Sequence, residues 1–163
     1  MNLTLSQLLN RLRGEVHQVS AQQVMADQQT GRNFYIVDVR ERGEAAKGHI
    51  PDAILIPRGF LEMSIEEKVS TDRLAEIVVY CAGGNRSLLA ARDLALMGYD
   101  NVHSMMGGFK AWKESGGNVV QCDVLTAEQT QRYARHLTLS EVDRKSTRLN
   151  SSHSQQSRMP SSA

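Results

Sequence analysis

The sequence predicts an α/β fold, a parallel five-stranded sheet with helices on both faces. Strand-like and helix-like segments alternate about five times over residues 15–118, as they do when parallel strands are joined by crossover helices. The strand-like segments NFYIVDV and EIVVYC are nearly continuous apolar runs, the pattern of strands covered on both faces. EIVVYC ends on Cys81, so a cysteine stands at the carboxyl end of a central strand, where open α/β sheets bind ligands.

Taken in order, Leu5, Leu8, Leu9 and Leu12 recur at helical spacing and predict a first helix over residues 4–13. VHQVS is a short β-branched strand, and Ser20 can cap the helix AQQVMADQQ. NFYIVDV is the next strand, ERGEAAKG a short helix ending at Gly48, and AILIP another strand. RGFLEMSIEEKV reads as helical, with Phe60, Leu61, Ile65 and Val69 on or near one face. After EIVVYC comes the helix SLLAARDLALMG, stopped by Gly98, then the strand NVHSM and the short helix GGFKAWKESGG. About 100 residues of this kind bury roughly 60–68% of their unfolded surface, enough for an independent core. The expected organisation is a helix over 1–14, an α/β domain over 15–118, and two segments of different character over 119–142 and 143–163.

The chain has 163 residues, 40% apolar and 23% charged, with a formal net charge of +1. That balance predicts no strong attraction to nucleic acid or to a membrane surface. No apolar run approaches the ~18 residues of a membrane span. MNLTLSQLLNRLRGEV reads as an amphipathic helix rather than a signal peptide. The two cysteines, Cys81 and Cys122, are too few for a disulfide framework or a four-ligand zinc site. Two free thiols in a reducing cytoplasm are expected, with one cystine as the alternative; Cys122 reads as a bystander, the alternative being that it resolves a sulfur-loaded Cys81 as a disulfide, and neither a metal nor an organic cofactor is expected.

The chemistry is concentrated in CAGGNRS. Gly83 and Gly84 are expected to take positive φ and curl the backbone, so that successive N–H groups point into one concavity. The helix starting near Ser87 adds unsatisfied N–H groups and the positive end of its dipole, and Arg86 adds a full cation at the rim. A sulfur atom in such a cradle is stabilised as an anion, either a thiolate or a persulfide. Asp38, at the end of a strand, is expected to hydrogen-bond this loop or to pair with Arg40 or Arg42. Arg58 follows AILIP and is a candidate second anion contact. His49 reads as a structural hydrogen-bonder, His103 and Trp112 as packing residues, and Met105 and Met106 as gap-fillers.

Several segments resemble the rhodanese-like sulfurtransferases, in that family's order. YIVDVRERGEAAKGHIPDAILIP resembles that family's N-terminal signature of an aspartate-containing strand followed by GHIP, VVYCAGGNRS the active loop, and LMGYDNVHSMMGGFKAW the closing strand and helix. Ala45 departs from the aromatic residue the family often carries there. The resemblance implies that Cys81 carries a persulfide, that the amides of Ala82, Gly83, Gly84, Asn85 and Arg86 surround it, and that Arg86 orients an anionic donor. Thiosulfate or a desulfurase persulfide would be the donor. A sulfur-carrier protein or an adenylyltransferase would be the partner, in biosynthesis of the molybdopterin or thiamine type. The alternative reading is a non-catalytic docking module. Related phosphatases of the cell-cycle type place one more residue between cysteine and arginine than the four here, and this loop holds no acid to protonate a leaving alkoxide.

LTAEQTQRYARHLTLSEV resembles the opening segment of E1-like adenylyltransferases that activate sulfur carriers. The glycine motif that should follow is absent, which predicts a truncated fusion that does not bind ATP. Residues 143–163 are polar and serine-rich, and predict a disordered tail resembling conceptual translations of sequencing-adapter DNA. The alternative there is a basic interaction tail carrying Arg144, Lys145, Arg148 and Arg158.

Overall fold

A computed structural model describes residues 3–121. Cys122 and the expectations for the chain beyond it lie outside the described residues. Five strands form one parallel sheet: β1 (Gln18–Val19), β2 (Tyr35–Asp38), β3 (Ile54–Leu55), β4 (Ile77–Tyr80) and β5 (Val102–Met105), in the order β1-β5-β4-β2-β3. The helices are α1 (Leu5–Glu15), α2 (Ala21–Gln29), α3 (Arg42–Ala45), α4 (Leu61–Lys68), α5 (Asn85–Leu96) and α6 (Gly108–Glu114).

All four residues of β4 are buried, because both faces of this central strand are covered. Ile77 and Val79 join Val37, Leu61, Ile65, Ala90 and Leu94 in one core layer. Val78 and Tyr80 face the other way, with Ala21, Val24, Phe109 and Trp112. Each large apolar side chain withdrawn from water in this way contributes about 1.5–3 kcal/mol. α1 is held by a capping box: Gln7 N–H donates to Thr4 Oγ1 at 3.3 Å, and Thr4 N–H donates to Gln7 Oε1 at 2.9 Å. Its Leu9 and Leu12 pack on Leu88 of α5. Ser20 caps α2, accepting from Gln23 N–H at 3.1 Å.

Four expectations change. RGFLEMSIEEKV is not one helix: Pro57 precedes a 3₁₀ turn over Arg58–Phe60, and α4 follows. The tighter turn rotates Phe60 off the buried stripe, so Phe60 is exposed while Leu61 and Ile65 are fully buried. α5 starts at Asn85 rather than Ser87, since Gly84 at φ +96° already turns the chain into the helix. Met105 fills the core, but Met106 is exposed. His103 does more than pack, since its Nδ1 meets His17 Nδ1 at 3.0 Å. Trp112 is buried and donates its indole N–H to Asn118 O at 2.8 Å. His49 bonds Val120 in both directions through the backbone, at 2.8 and 2.9 Å. No helix among the described residues is long and apolar enough to cross a membrane.

The strand order positions the site. β2 leads outward to β3, and β4 leads outward to β5 on the opposite side, so the switch point lies between the adjacent strands β2 and β4. The turn into α3 and the loop after Cys81 therefore open on the same crevice.

Candidate active site

Cys81 follows the last residue of β4 and is 1% exposed. Gly84 N–H donates to its Sγ at 3.1 Å. Only one of the two loop glycines takes positive φ: Gly84 is left-handed, whereas Gly83 is not and faces open space. The curl is thus made at a single residue, immediately before α5, and it turns the Gly84 N–H back onto the sulfur. Ser87, on the first turn of α5, lies behind the sulfur with Oγ 3.8 Å from Sγ. Its hydroxyl donates to Gly84 O at 2.9 Å and accepts from Ser104 Oγ of β5 at 2.8 Å. All three side chains are buried, so Cys81, Ser87 and Ser104 form a continuous chain from the loop into the sheet.

The loop backbone is clamped from β5's side. Cys81 O accepts from Phe109 N–H at 2.7 Å and Ala82 O from Lys110 N–H at 3.1 Å, both at the start of α6. These carbonyls are therefore satisfied away from the sulfur. The approach is close enough to require glycine: a Cβ on Gly108 would lie 2.2 Å from Cys81 O.

Arg86 does not stand free at the rim. Its Nη1 and Nη2 donate to Glu44 Oε2 and Oε1 of α3 at 2.7 and 2.8 Å, a two-bond fork across the crevice. Each side chain keeps 37% exposure. The Arg86 hydrogen bonds hold the Glu44 carboxyl down at about 2, outweighing the opposing effect of burial, with help from Glu41 N–H. The same pair raises the Arg86 guanidinium.

Among the described hydrogen bonds, Asp38 makes none to the loop. It is buried and bound to Arg40 by Nε–H to Oδ1 at 2.9 Å and Nη2–H to Oδ2 at 2.6 Å, which resolves the choice between Arg40 and Arg42. Tyr80 O–H donates to Asp38 Oδ2 at 2.7 Å and Arg40 also donates to Gly48 O at 2.8 Å. Burial and the Asp38 carboxylate raise the Tyr80 phenol and keep it a donor. Through Tyr80, the residue before Cys81, the ion pair fixes where β4 ends. Arg58 is turned to α5 and α4, where it pairs with Asp93 and, at 2.6 Å, with Glu62. It ties the exit of β3 to α5 and contacts no residue of the Cys81 loop among the described hydrogen bonds. Asn85 is bonded by Arg13 of α1 at 3.4 Å.

Glu44, Ser104 and Gly108 are absent from the expected site. Glu44 comes from the β2–α3 unit and Ser104 and Gly108 from the β5–α6 unit, and only the strand order brings these units to Cys81. The one signal for Glu44 was an acidic residue in the first turn of the helix that follows β2.

A parallel sheet of this order, with a cysteine loop at its switch point, is the rhodanese-like architecture, and the chain belongs to the Rhodanese-like domain family, which matches residues 20–115. It is a rhodanese-like sulfurtransferase. A sulfurtransferase of Allochromatium vinosum is 34% identical over 106 residues, spanning 65% of this chain and 94% of that protein. The adenylyltransferase and sulfurtransferase UBA4 of Candida albicans is 35% identical over 91 residues, 53% of this chain but 21% of that protein. Among solved structures, a protein of unknown function from Rhodopseudomonas palustris, described as a possible tyrosine phosphatase, is 29% identical with a TM-score of 0.65, covering 74% of this chain and 96% of that one.

Proposed function

We propose that the chain transfers sulfane sulfur through a persulfide on Cys81. The observation that carries this reading is the Gly84 N–H aimed at Cys81 Sγ from the loop that enters α5. The Cys81 thiolate attacks the outer sulfur of a donor such as thiosulfate. A bond forms between Sγ and that sulfur, the donor's S–S bond breaks, and sulfite leaves with the electron pair. The charge now rests on the terminal sulfur. The dipole of α5 and the amides of Ala82 to Arg86 favour it there. Ser87 is a buried hydroxyl that can rotate from Gly84 O toward the sulfur when charge is present. A nucleophilic acceptor then takes the terminal sulfur, and the electron pair returns to Sγ.

For the acceptor we propose a sulfur-carrier protein or the adenylyltransferase that activates it. The similarity to UBA4 and the string LTAEQTQRYARHLTLSEV support this reading.

Turnover of thiosulfate with cyanide as acceptor tests the assignment. Cys81→Ser is expected to abolish thiocyanate formation while keeping the wild-type circular dichroism and melting profile. Thiocyanate formed by the Ser variant at the wild-type rate would reject Cys81 as the carrier. The likeness to a possible tyrosine phosphatase makes an aryl phosphate the right counter-substrate. No hydrolysis is expected, since the four-residue spacing from Cys81 to Arg86 leaves a cradle sized for sulfur.

A further inference from the structure

The cation expected to receive an anionic donor is already engaged. Arg86 gives both terminal nitrogens to Glu44, so the face of the guanidinium suited to a bidentate anion is filled by a carboxylate. Arg58, the other candidate contact, is held between Glu62 and Asp93. Neither arginine offers a free positive charge to a donor carrying two negative charges. The Arg86–Glu44 pair is at the same time partly exposed, so a molecule entering the crevice meets it.

We propose that Glu44 is a specificity-determining residue of the sulfur-transfer site: by neutralising Arg86 it weakens the use of dianionic donors such as thiosulfate and favours donors of lower charge, monoanionic thiosulfonates and persulfides. The inference rests on the sulfur-transfer reading above and adds the donor class to it. Glu44 is ionised throughout the working pH range, so its effect is constant and not a pH switch. A local structural role is separable from this charge effect. Glu44 also closes the capping box of α3, accepting from Glu41 N–H at 3.1 Å, and glutamine fills that position equally well. Glu44→Gln, with its single amide oxygen in the place of Oε2, keeps one acceptor shared by Glu41 N–H and Arg86 Nη1, gives up the bond from Nη2, and removes the negative charge.

The test compares thiosulfate, a dianion, with methanethiosulfonate, a monoanion that gives up its outer sulfur to the Cys81 thiolate and leaves as methanesulfinate. kcat/KM is measured for both donors in the wild type, Glu44→Gln, Arg86→Ala and the double variant, with persulfide on Cys81 followed by intact mass. Glu44→Gln is expected to raise kcat/KM for thiosulfate about tenfold and for methanethiosulfonate about threefold. Arg86→Ala leaves Glu44 unpaired and lowers thiosulfate use, and the double variant returns toward the wild type. Activity on thiosulfate thus follows the net charge of the pair. An unchanged or reduced value in Glu44→Gln, with persulfide still forming, would overturn the proposal and leave Glu44 as a support for Arg86. Absence of persulfide in every form, the wild type included, would instead overturn the sulfur-transfer reading and this inference with it.

Discussion

At the sulfur of Cys81, what matters is how few groups reach it and how firmly each is held. Among the described residues Gly84 supplies the one backbone N–H donated to it, and Ser87 stands behind, fixed by Ser104. A neutral hydrogen bond contributes about 0.5–1.5 kcal/mol net, so Ser87→Ala is expected to lower kcat/KM for thiosulfate roughly threefold to tenfold. Steady-state kinetics on the folded variant checks this; an unchanged rate would mean that the hydroxyl serves only Gly84 O. Cys81, Gly84 and Ser87 were legible in the sequence because their arrangement is local, a strand end, a glycine turn and a helix start, although Gly83 was expected to be left-handed as well and is not. Glu44 was not, because Arg86 reaches it across two strands that are 42 residues apart in sequence at their loops. Arg58 misled for the same reason: it is placed at the right end of the sheet, but Asp93 on α5 claims it.

At the scale of elements, the loop is held from both neighbouring strands. From the β2 side, the buried Asp38–Arg40 pair and Tyr80 set the end of β4. Asp38→Asn leaves Arg40 buried with no balancing charge, and is expected to cost about 3–5 kcal/mol, read as a large drop in melting temperature. From the β5 side, α6 donates two backbone bonds to the loop, and Gly108 permits the approach. Gly108→Ala sets a methyl against Cys81 O and is expected to cost about 1–3 kcal/mol and to slow persulfide formation, because the carbonyl that must move belongs to the reacting residue. A variant with wild-type melting and wild-type rate would show that the clamp does not position the loop. The alternation of strands and helices was readable because hydrophobic period and caps are written locally, as Ser20 before α2 and Gly98 after α5 illustrate. The 3₁₀ turn at Arg58–Phe60 was not, since its helical period differs from the α-period by less than one residue per turn over so short a stretch.

At the scale of the whole molecule, the α/β body closes where His49 bridges Val120. A chain ending after Gln121 is expected to keep both melting temperature and sulfur transfer, whereas one ending before Val119 loses both backbone bonds to His49 and melts earlier. The Glu44–Arg86 pair also gives the fold an acid limb. The Glu44 carboxyl lies at about 2 in the folded state against 4.5 as an ordinary carboxyl, so its contribution to stability is complete above pH 4.5 and is lost as pH falls from there toward 2. Exposure and salt reduce its size. Acid unfolding of the wild type and Glu44→Gln is therefore expected to differ in slope across that window and to lose the difference in high salt. Parallel curves would place the acid sensitivity elsewhere.

In the proposed reaction one sulfur atom passes through Cys81. The most direct measurement of this is a single-turnover reaction of thiosulfate with a slight excess of protein, quenched in acid, with sulfite released and the mass of the Cys81 peptide read from the same sample. One sulfite is expected for each sulfur gained, with that sulfur located on Cys81. Sulfite release with Cys81 unmodified, or a gain of sulfur at another residue, would contradict passage through Cys81.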